Sequence, residues 1–196
     1  GPLAGRDIGL SYKHTRRTAM HNWHSQNGAV FVEAGQWLRP QYYLKETENL
    51  SKANMDAAIG REVKAVRNAV GLVDVSTLGK IDIQGKDSAE FLNRIYTNGW
   101  KKLPIGKARY GIMLREDGLV FDDGTTSRLD EHHYFMTTTT SNAAAVLSHM
   151  EYYLQVHWPD LDVRVTSVTE QWAAMALAGP KSRKILSKLI PTANVD

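Results

Sequence analysis

The sequence predicts an α+β fold, with a mainly antiparallel sheet and helices packed on it. Two runs rich in β-forming residues flank Asp117-Gly118, a dipeptide whose backbone readily adopts the positive φ angles of a tight hairpin turn. Helical and strand patterns are mixed along the rest of the chain, and the hairpin implies antiparallel pairing rather than a doubly wound parallel sheet. No glycine-rich phosphate loop joins a strand to a helix, which argues against a nucleotide-binding fold.

The first third of the chain contains the clearest helical pattern. Residues 1–17 are expected to form a tail or linker, followed by a short helix at 18–27 and a strand at 29–33. The aromatic segment 37–43 is expected to pack in a core. Residues 49–70 predict an amphipathic helix with one buried face. That face is a stripe of apolar residues at spacings of three and four, namely Met55, Ile59, Val63, Val66 and Val70.

The rest of the chain alternates strands with helices. Residues 72–76 predict a short buried strand, and residues 79–85 alternate as a half-exposed one. The later elements, in chain order, are a helix at 87–96, the hairpin, a strand at 132–139, an alanine-rich helix at 141–154, strands at 163–168 and 171–178, and a helix that begins at Gly179-Pro180 and ends at Pro191. The predicted domain therefore spans residues 18–190, with a tail at 191–196.

The composition is that of a globular protein without thiol chemistry. Of 196 residues, 42% are hydrophobic, which is enough for a core. The net charge of +3 is spread along the chain and predicts no nucleic-acid partner. The absence of cysteine excludes disulfides, thiolate metal ligands and thiol nucleophiles. Because no apolar run could span a bilayer or serve as a signal peptide, we expect a cytoplasmic protein without a membrane partner.

Two adjacent carboxylates, Asp122 and Asp123, follow the apolar start of the second hairpin strand. Because strand side chains alternate between faces, one of the two must point toward whatever the sheet covers. An acid in that position costs free energy unless something binds to it, so the pair is a candidate site. A structural interpretation is equally open, since Asp is common at strand ends and the following Gly124 suits a turn or a bulge.

His21 and His24 lie three residues apart and could share a helical face, a spacing that invites a metal interpretation. Zinc requires three or four ligands, and no acid or further histidine stands nearby in the sequence. The sequence therefore predicts no metal site.

Several motifs, in their order along the chain, resemble those of one known family. They are Gly71-Leu72-Val73-Asp74-Val75-Ser76, Gly85, the Tyr110 strand, the run 117–123, Tyr134 and the Ala178-Gly179-Pro180 step. As a set they resemble the first half of the glycine-cleavage T-protein (aminomethyltransferase) family. Residues 20–24, 36–40 and 137–140 are most similar to the alpha-subunit branch of heterotetrameric sarcosine oxidases, in its C-terminal folate-binding region. The chain is therefore expected to be a fragment of a longer protein.

The resemblance implies a tetrahydrofolate site and assigns residues to it. The family's catalytic acid falls on Asp123, where it would face the pterin and assist the attacking folate nitrogen. The pocket-lining positions fall on Leu78, Tyr110, Tyr134 and Thr138. This sequence departs from the T-proteins at Leu78, where they have Met, and at Thr138, where they have Asn. It also has Thr77 in place of a family histidine, and these changes fit the sarcosine oxidase branch.

The same resemblance implies a function. The whole enzyme would oxidise sarcosine, and this region would help tetrahydrofolate capture the one-carbon unit as 5,10-methylenetetrahydrofolate. FAD, FMN and NAD would bind outside this chain, the other subunits would be its partners, and the fragment alone would be inactive. Two alternatives stay open, namely a T-protein-type aminomethyltransferase and a non-catalytic folate-binding module.

Overall fold

The computed structural model describes residues 16–192. In chain order its elements are β1 (Arg16–Arg17), α1 (His21–Gln26), β2 (Ala29–Ala34), β3 (Trp37–Tyr43), α2 (Lys52–Asn68), β4 (Gly71–Asp74), β5 (Gly79–Gln84), α3 (Ser88–Ile95), β6 (Ala108–Leu114), β7 (Val120–Asp130), β8 (His133–Thr138), α4 (Ala143–Tyr152), β9 (Arg164–Ser167), β10 (Met175–Ala178) and α5 (Ser182–Leu189). Antiparallel sheets combined with helices give the α+β class that the sequence predicts.

The chain divides into two compact units. Residues 78–172 form the second unit, and the segments on either side of it form the first. Of the predicted tails, residues 1–15 and 193–196 lie outside the described residues, whereas Arg16 and Arg17 form β1. Within the described part of the chain, no helix is both long and apolar enough to cross a membrane.

In its described residues, 16–77 and 173–192, the first unit contains two small sheets and three helices. β3 pairs with β2 in antiparallel fashion and with β1 in parallel, while β4 and β10 form an antiparallel pair. The Oγ of Ser51 caps α2 by accepting a hydrogen bond from the backbone N–H of Asn54 at 3.2 Å. α1 begins later than predicted and has no side-chain cap. Its N-cap position is occupied by Met20, which has no side-chain oxygen to accept from the helix amides.

Burial in the first unit differs from the expectation. The predicted apolar stripe of α2 is only partly covered, because Ile59 and Val63 are exposed. The strand predicted at 72–76 was expected to be buried, but Leu72 and Val73 on β4 are exposed. Periodicity identifies an apolar face without stating what covers it.

The second unit is a five-stranded antiparallel sheet with the order β6-β7-β8-β5-β9. Helices α3 and α4 cover one of its faces, which we call the helix face. The core lies there and includes Ile81, Ile83, Phe91, Leu92, Met113, Tyr134, Met136, Val146 and Met150. The other face carries Asp123, and we call it the Asp123 face.

The predicted hairpin is confirmed. β6 and β7 pair in antiparallel fashion around Gly118, which has a φ of 82°, and the Asp117 carboxylate accepts a hydrogen bond from the backbone N–H of Leu119 at 3.1 Å. The helix predicted at 141–154 is also present, but it ends as a π-helical turn at Tyr153–His157. The last predicted strand is shorter than expected, because Thr169–Gln171 form a 3₁₀ turn before it.

Candidate functional site

Asp122 and Asp123 point to opposite faces of β7, as strand geometry requires. Asp122 lies opposite Met113, a core residue, and Asp123 lies opposite Ile112 on β6. The acid on the covered face is therefore Asp122, whose side chain is almost fully buried at 3% exposure. Asp123 is half-buried on the other face.

Protein groups satisfy the Asp122 carboxylate. It accepts hydrogen bonds from the hydroxyl of Thr139 at 2.6 Å and from the backbone N–H of that residue at 3.3 Å. Asn142, at the N-terminus of α4, donates to it at 3.4 Å and to the backbone oxygen of Phe121 at 2.8 Å. Burial raises the pKa of Asp122, although these hydrogen bonds partly oppose the shift. Asp122 thus joins β7 to α4 and needs no ligand.

Asp123 forms a pair with Tyr110, two positions away on the neighbouring strand. The Tyr110 hydroxyl donates a hydrogen bond to Oδ2 of Asp123. This hydrogen bond raises the pKa of Tyr110, so the phenol stays protonated at neutral pH and acts as a donor. The Tyr110 side chain is 58% exposed, and its neighbour Ile112 is also exposed. The pair therefore presents a carboxylate beside an accessible aromatic ring.

The Asp123 face continues across the sheet as a row of polar side chains. Thr125 lies opposite Tyr110, and its backbone N–H donates to the hydroxyl of Thr137 on β8 at 3.0 Å. Thr137 lies opposite Lys80 on β5. The buried Lys80 ammonium donates to the backbone oxygen of Leu78 at 2.9 Å. The row therefore runs from Lys80, whose ammonium bonds the Leu78 backbone, toward Asp123 near its other end.

Two predicted site residues lie on the other face from Asp123. Tyr134 is fully buried in the core, and burial raises its pKa while the positive charge of Arg128 opposes the shift. Thr138 is also buried, and its hydroxyl donates to the backbone oxygen of Thr139 at 3.0 Å. Both have the same strand parity as the core residue Met136, so the two-residue period of β8 turns them toward the helices. The structure therefore brings together Asp123 and Tyr110, and leaves Tyr134 and Thr138 apart from them.

Sequence reasoning missed several residues of this face. Ile112, Thr125 and Lys80 carry no motif of their own, and Thr137 belongs to the run 137–140 without being assigned to the site. Strand alternation could have identified Ile112 and Thr125 from Tyr110, and Lys80 from Leu78, because each lies opposite or two positions from that residue. Thr137 is adjacent to the expected Thr138 and points to the other face. The register between strands was needed to group them.

His24, considered above as a metal ligand, has other partners. Its Nε2 lies 2.9 Å from a carboxylate oxygen of Asp74, and its Nδ1 lies 2.7 Å from the hydroxyl of Tyr43. Both partners are far from it in sequence, so spacing could not reveal them. Among residues 16–192, no group of three or more His, Cys, Asp or Glu side chains is arranged to hold a metal ion.

Comparison with known proteins gives a consistent result. The family model described as "GCVT N-terminal domain" matches residues 20–196. The sarcosine oxidase alpha subunit of Rhizobium meliloti (strain 1021) is 53% identical over 190 residues, which are 97% of this chain and 19% of that protein. The alpha subunit of Corynebacterium sp. (strain U-96) is 53% identical over 193 residues, 98% of this chain and 20% of that protein.

More distant relatives match the same stretch. The aminomethyltransferase of Thermotoga neapolitana is 32% identical over 176 residues, which are 89% of this chain and 44% of that protein. The crystal structure of glycine cleavage system aminomethyltransferase T from Bartonella henselae superposes with a TM-score of 0.74 at 23% identity, covering 88% of this chain and 43% of that chain. This last likeness shows the fold alone. The chain spans about a fifth of the length of the sarcosine oxidase subunits it matches.

Proposed function

We propose that this chain, which belongs to the GCVT N-terminal domain family, is the tetrahydrofolate-binding part of a sarcosine oxidase alpha subunit. Identity of 53% to two such subunits supports this choice within the family. The chain corresponds to a fifth of those proteins. We place the oxidation of sarcosine and the sites for FAD, FMN and NAD in other parts of the assembly, and the other subunits are the proposed partners. The place of action that we propose is the cytoplasm.

The observation that carries the proposal is the pair of Asp123 and Tyr110. A reduced pterin is a flat ring with N–H donors, and such a ligand needs carboxylate acceptors between apolar or aromatic walls. Tyr110 and Ile112 supply exposed walls, and Asp123 supplies the acceptor. The Tyr110 hydroxyl engages Oδ2, which leaves Oδ1 for a ligand. The residues present therefore fit the group.

The chain's contribution to the reaction is positioning and proton handling. When bound, tetrahydrofolate supplies the nitrogen that takes up the one-carbon unit released by sarcosine oxidation, giving 5,10-methylenetetrahydrofolate. Asp123 accepts the N–H of that nitrogen and receives its proton, while the hydrogen bond from Tyr110 holds the carboxylate in place. Orienting two reactants in this way is worth about 7–11 kcal/mol in favourable intramolecular cases.

The remaining expected site residues have supporting places in this proposal. Leu78 contributes to the site from a position that is fixed by the hydrogen bond from the Lys80 ammonium to the Leu78 backbone oxygen. Tyr134 and Thr138 act from the helix face, where their packing fixes β8 beneath the row of polar side chains.

Replacement of Asp123 by Asn in the complete protein that contains this chain tests the function. We expect Asp123→Asn to lower the formation of 5,10-methylenetetrahydrofolate from sarcosine by about 100-fold or more, the lower end of the range for general acid–base catalysis. Sarcosine oxidation without folate should be unchanged. Asp130→Asn is a matched control, because Asp130 is an exposed residue at the far end of the same strand. Unchanged methylenetetrahydrofolate formation in Asp123→Asn would disprove the catalytic role of Asp123.

A second candidate is an aminomethyltransferase of the T-protein type, favoured by the 32% identity to the Thermotoga neapolitana enzyme. The two functions differ in the donor of the one-carbon unit. Formation of methylenetetrahydrofolate from a lipoyl-bound aminomethyl group, and none from sarcosine, would favour this candidate.

A further inference from the structure

The segment that follows α3 lies along the outer edge of β6, the strand that carries Tyr110. Among the strands that the structure describes, β6 pairs only with β7, so its other edge faces away from the sheet. Residues 96–100 contact that edge, beginning with an antiparallel bridge between Tyr96 and Met113. We call residues 96–100 the supporting segment. None of them belongs to the site proposed for folate.

The supporting segment bonds both backbone polar groups of Ile112. The Oδ1 of Asn98 accepts a hydrogen bond from the Ile112 backbone N–H at 3.1 Å. The backbone N–H of Thr97 donates to the Ile112 backbone oxygen at 3.0 Å, and the Thr97 hydroxyl lies 3.1 Å from the same oxygen. The Arg109 guanidinium donates to the backbone oxygen of Gly99. These bonds satisfy groups that an edge strand otherwise leaves to water.

Ile112 lies directly opposite Asp123 on β7. Because the Ile112 N–H and oxygen point to the supporting segment, these two residues form a pair without hydrogen bonds between the strands. In such a pair the Cα atoms are about 4.5 Å apart and the side chains are closest. Tyr110 points to the same face as Ile112 and donates to Asp123. The supporting segment therefore holds β6 at the residue that faces the carboxylate.

The supporting segment also contacts β6 from the helix face. Tyr96 and Trp100 are buried there, with their ring centroids 5.3 Å apart. A methyl group at Gly111 would lie 2.7 Å from a ring carbon of Trp100 and 3.0 Å from one of Tyr96, which is too close for van der Waals contact. The two rings therefore pack directly on the backbone at Gly111, between Tyr110 and Ile112.

We propose that Asn98 is a positioning residue for the pair of Tyr110 and Asp123 and for the wall that Ile112 provides. This inference rests on the proposed function. Asn98 acts through the Ile112 N–H, and the amide oxygen is the atom required because a backbone N–H can only donate. An edge strand that loses such a bond opens more readily, which would separate the Tyr110 hydroxyl from Asp123.

Two substitutions of similar size separate the acceptor oxygen from the packing of the side chain. Asn98→Leu removes the acceptor, whereas Asn98→Asp keeps an oxygen for the Ile112 N–H. Calorimetric titration of the 196-residue chain with a chemically stable reduced folate measures the effect. We expect Asn98→Leu to weaken binding at least about threefold, the loss expected for one neutral hydrogen bond, and Asn98→Asp to restore most of it.

The control for an Asn→Leu change is Asn68→Leu, because Asn68 is exposed on α2 in the first unit. This variant should bind like the wild type, and circular dichroism should show that every variant is folded. Equal affinity of Asn98→Leu and the wild type, or equal weakening by Asn98→Leu and Asn98→Asp, would overturn the positioning role of Asn98.

The titration of Tyr110 gives a measurement that needs no folate. The hydrogen bond to Asp123 raises the pKa of Tyr110. We therefore expect Asn98→Leu to shift the midpoint of the Tyr110 ring ¹³C signal toward the ordinary value of 10.0. Asn98→Asp should leave the midpoint at or above that of the wild type, because it keeps the acceptor and adds a negative charge. An unchanged midpoint in Asn98→Leu would overturn this inference, whereas failure of the wild-type chain to bind reduced folate would overturn the proposed function.

Discussion

Two neighbouring acids on one strand have different roles because a strand turns successive side chains to opposite faces. Asp122 is enclosed by donors from Thr139 and Asn142, which satisfy its carboxylate within the protein. Asp123 has a single tyrosine partner and a second oxygen that can face a ligand. Strand alternation by itself does not distinguish the two acids, and the position of the helices shows which of them is covered.

The pair of Tyr110 and Asp123 predicts a measurable effect on titration. The hydrogen bond to Asp123 is the main cause that raises the pKa of Tyr110, so Asp123→Asn should lower that pKa toward the ordinary value of 10.0. Because the folded protein favours the protonated phenol, the pair contributes to the stability of the fold below the ordinary pKa of tyrosine. This contribution is lost as pH rises through the raised pKa of Tyr110. The ¹³C NMR shift of the Tyr110 ring, followed through alkaline pH, gives the midpoint. A midpoint that is the same in Asp123→Asn and in the wild type would show that the two side chains are not paired in solution.

The hairpin of β6 and β7 is joined to α4 through the carboxylate of Asp122. Asn142 donates hydrogen bonds to this carboxylate and to the backbone oxygen of Phe121. The N-terminal end of α4 therefore holds β7 at the two residues that directly precede Asp123. The geometry of Asp123 therefore depends on a contact made on the opposite face of the sheet.

Removal of this link should destabilise the protein. Asp122→Ala leaves the donors of Thr139 and Asn142 without an acceptor, at a cost of about 1–3 kcal/mol in the free energy of unfolding. Asp122→Asn should cost less at neutral pH, because it keeps an acceptor oxygen and removes a buried charge. Urea unfolding, followed by circular dichroism, measures both values. Equal stability of Asp122→Ala and the wild type would contradict the structural role of Asp122.

The same variant predicts a pH dependence of known sign. Burial raises the pKa of Asp122, so the folded protein holds this proton more tightly than the unfolded chain does. The contribution of Asp122 to stability is then complete below about pH 4, the ordinary pKa of Asp, and declines as pH rises through the raised value. The stability difference between the wild type and Asp122→Asn should therefore grow as pH falls from about 7 to about 4. A difference that shrinks over this range would mean that the shift has the opposite sign.

For the molecule as a whole, the sequence predicted the fold class and family better than the site. The hairpin, the helix predicted at 49–70 and the α+β class follow from local signals, namely the Asp117-Gly118 turn and an apolar period. The family expected from the order of the motifs is confirmed by the match over residues 20–196. These features depend on neighbours along the chain.

The remaining features depend on contacts distant in sequence. Periodicity could not state which of two adjacent acids faces the helices, because α4 lies 20 residues further along the chain at Asn142. Periodicity also could not place Tyr134 in the core, because the alternation along β8 is compatible with either face of the strand being buried. A local pattern likewise could not identify Tyr43 and Asp74 as the partners of His24, because both are distant from it in sequence.

The first unit leaves apolar side chains in contact with water. On β4, Leu72 and Val73 are 64% and 48% exposed. Surfaces of this kind favour association between copies when they are left uncovered. We therefore expect light scattering by this chain to rise with concentration, and Leu72→Thr combined with Val73→Thr to reduce the rise without a change in circular dichroism. The same concentration dependence in the double variant would exclude β4 as the contact.

The most direct test of the central claim is a calorimetric titration of this 196-residue chain with a chemically stable reduced folate. The account predicts that the wild-type chain binds and that Asp123→Asn weakens binding at least about tenfold, the loss expected for a hydrogen bond to a charged group. Asp130→Asn should bind like the wild type. Equal affinity of the wild-type and Asp123→Asn chains, including the absence of measurable binding by either, would contradict it.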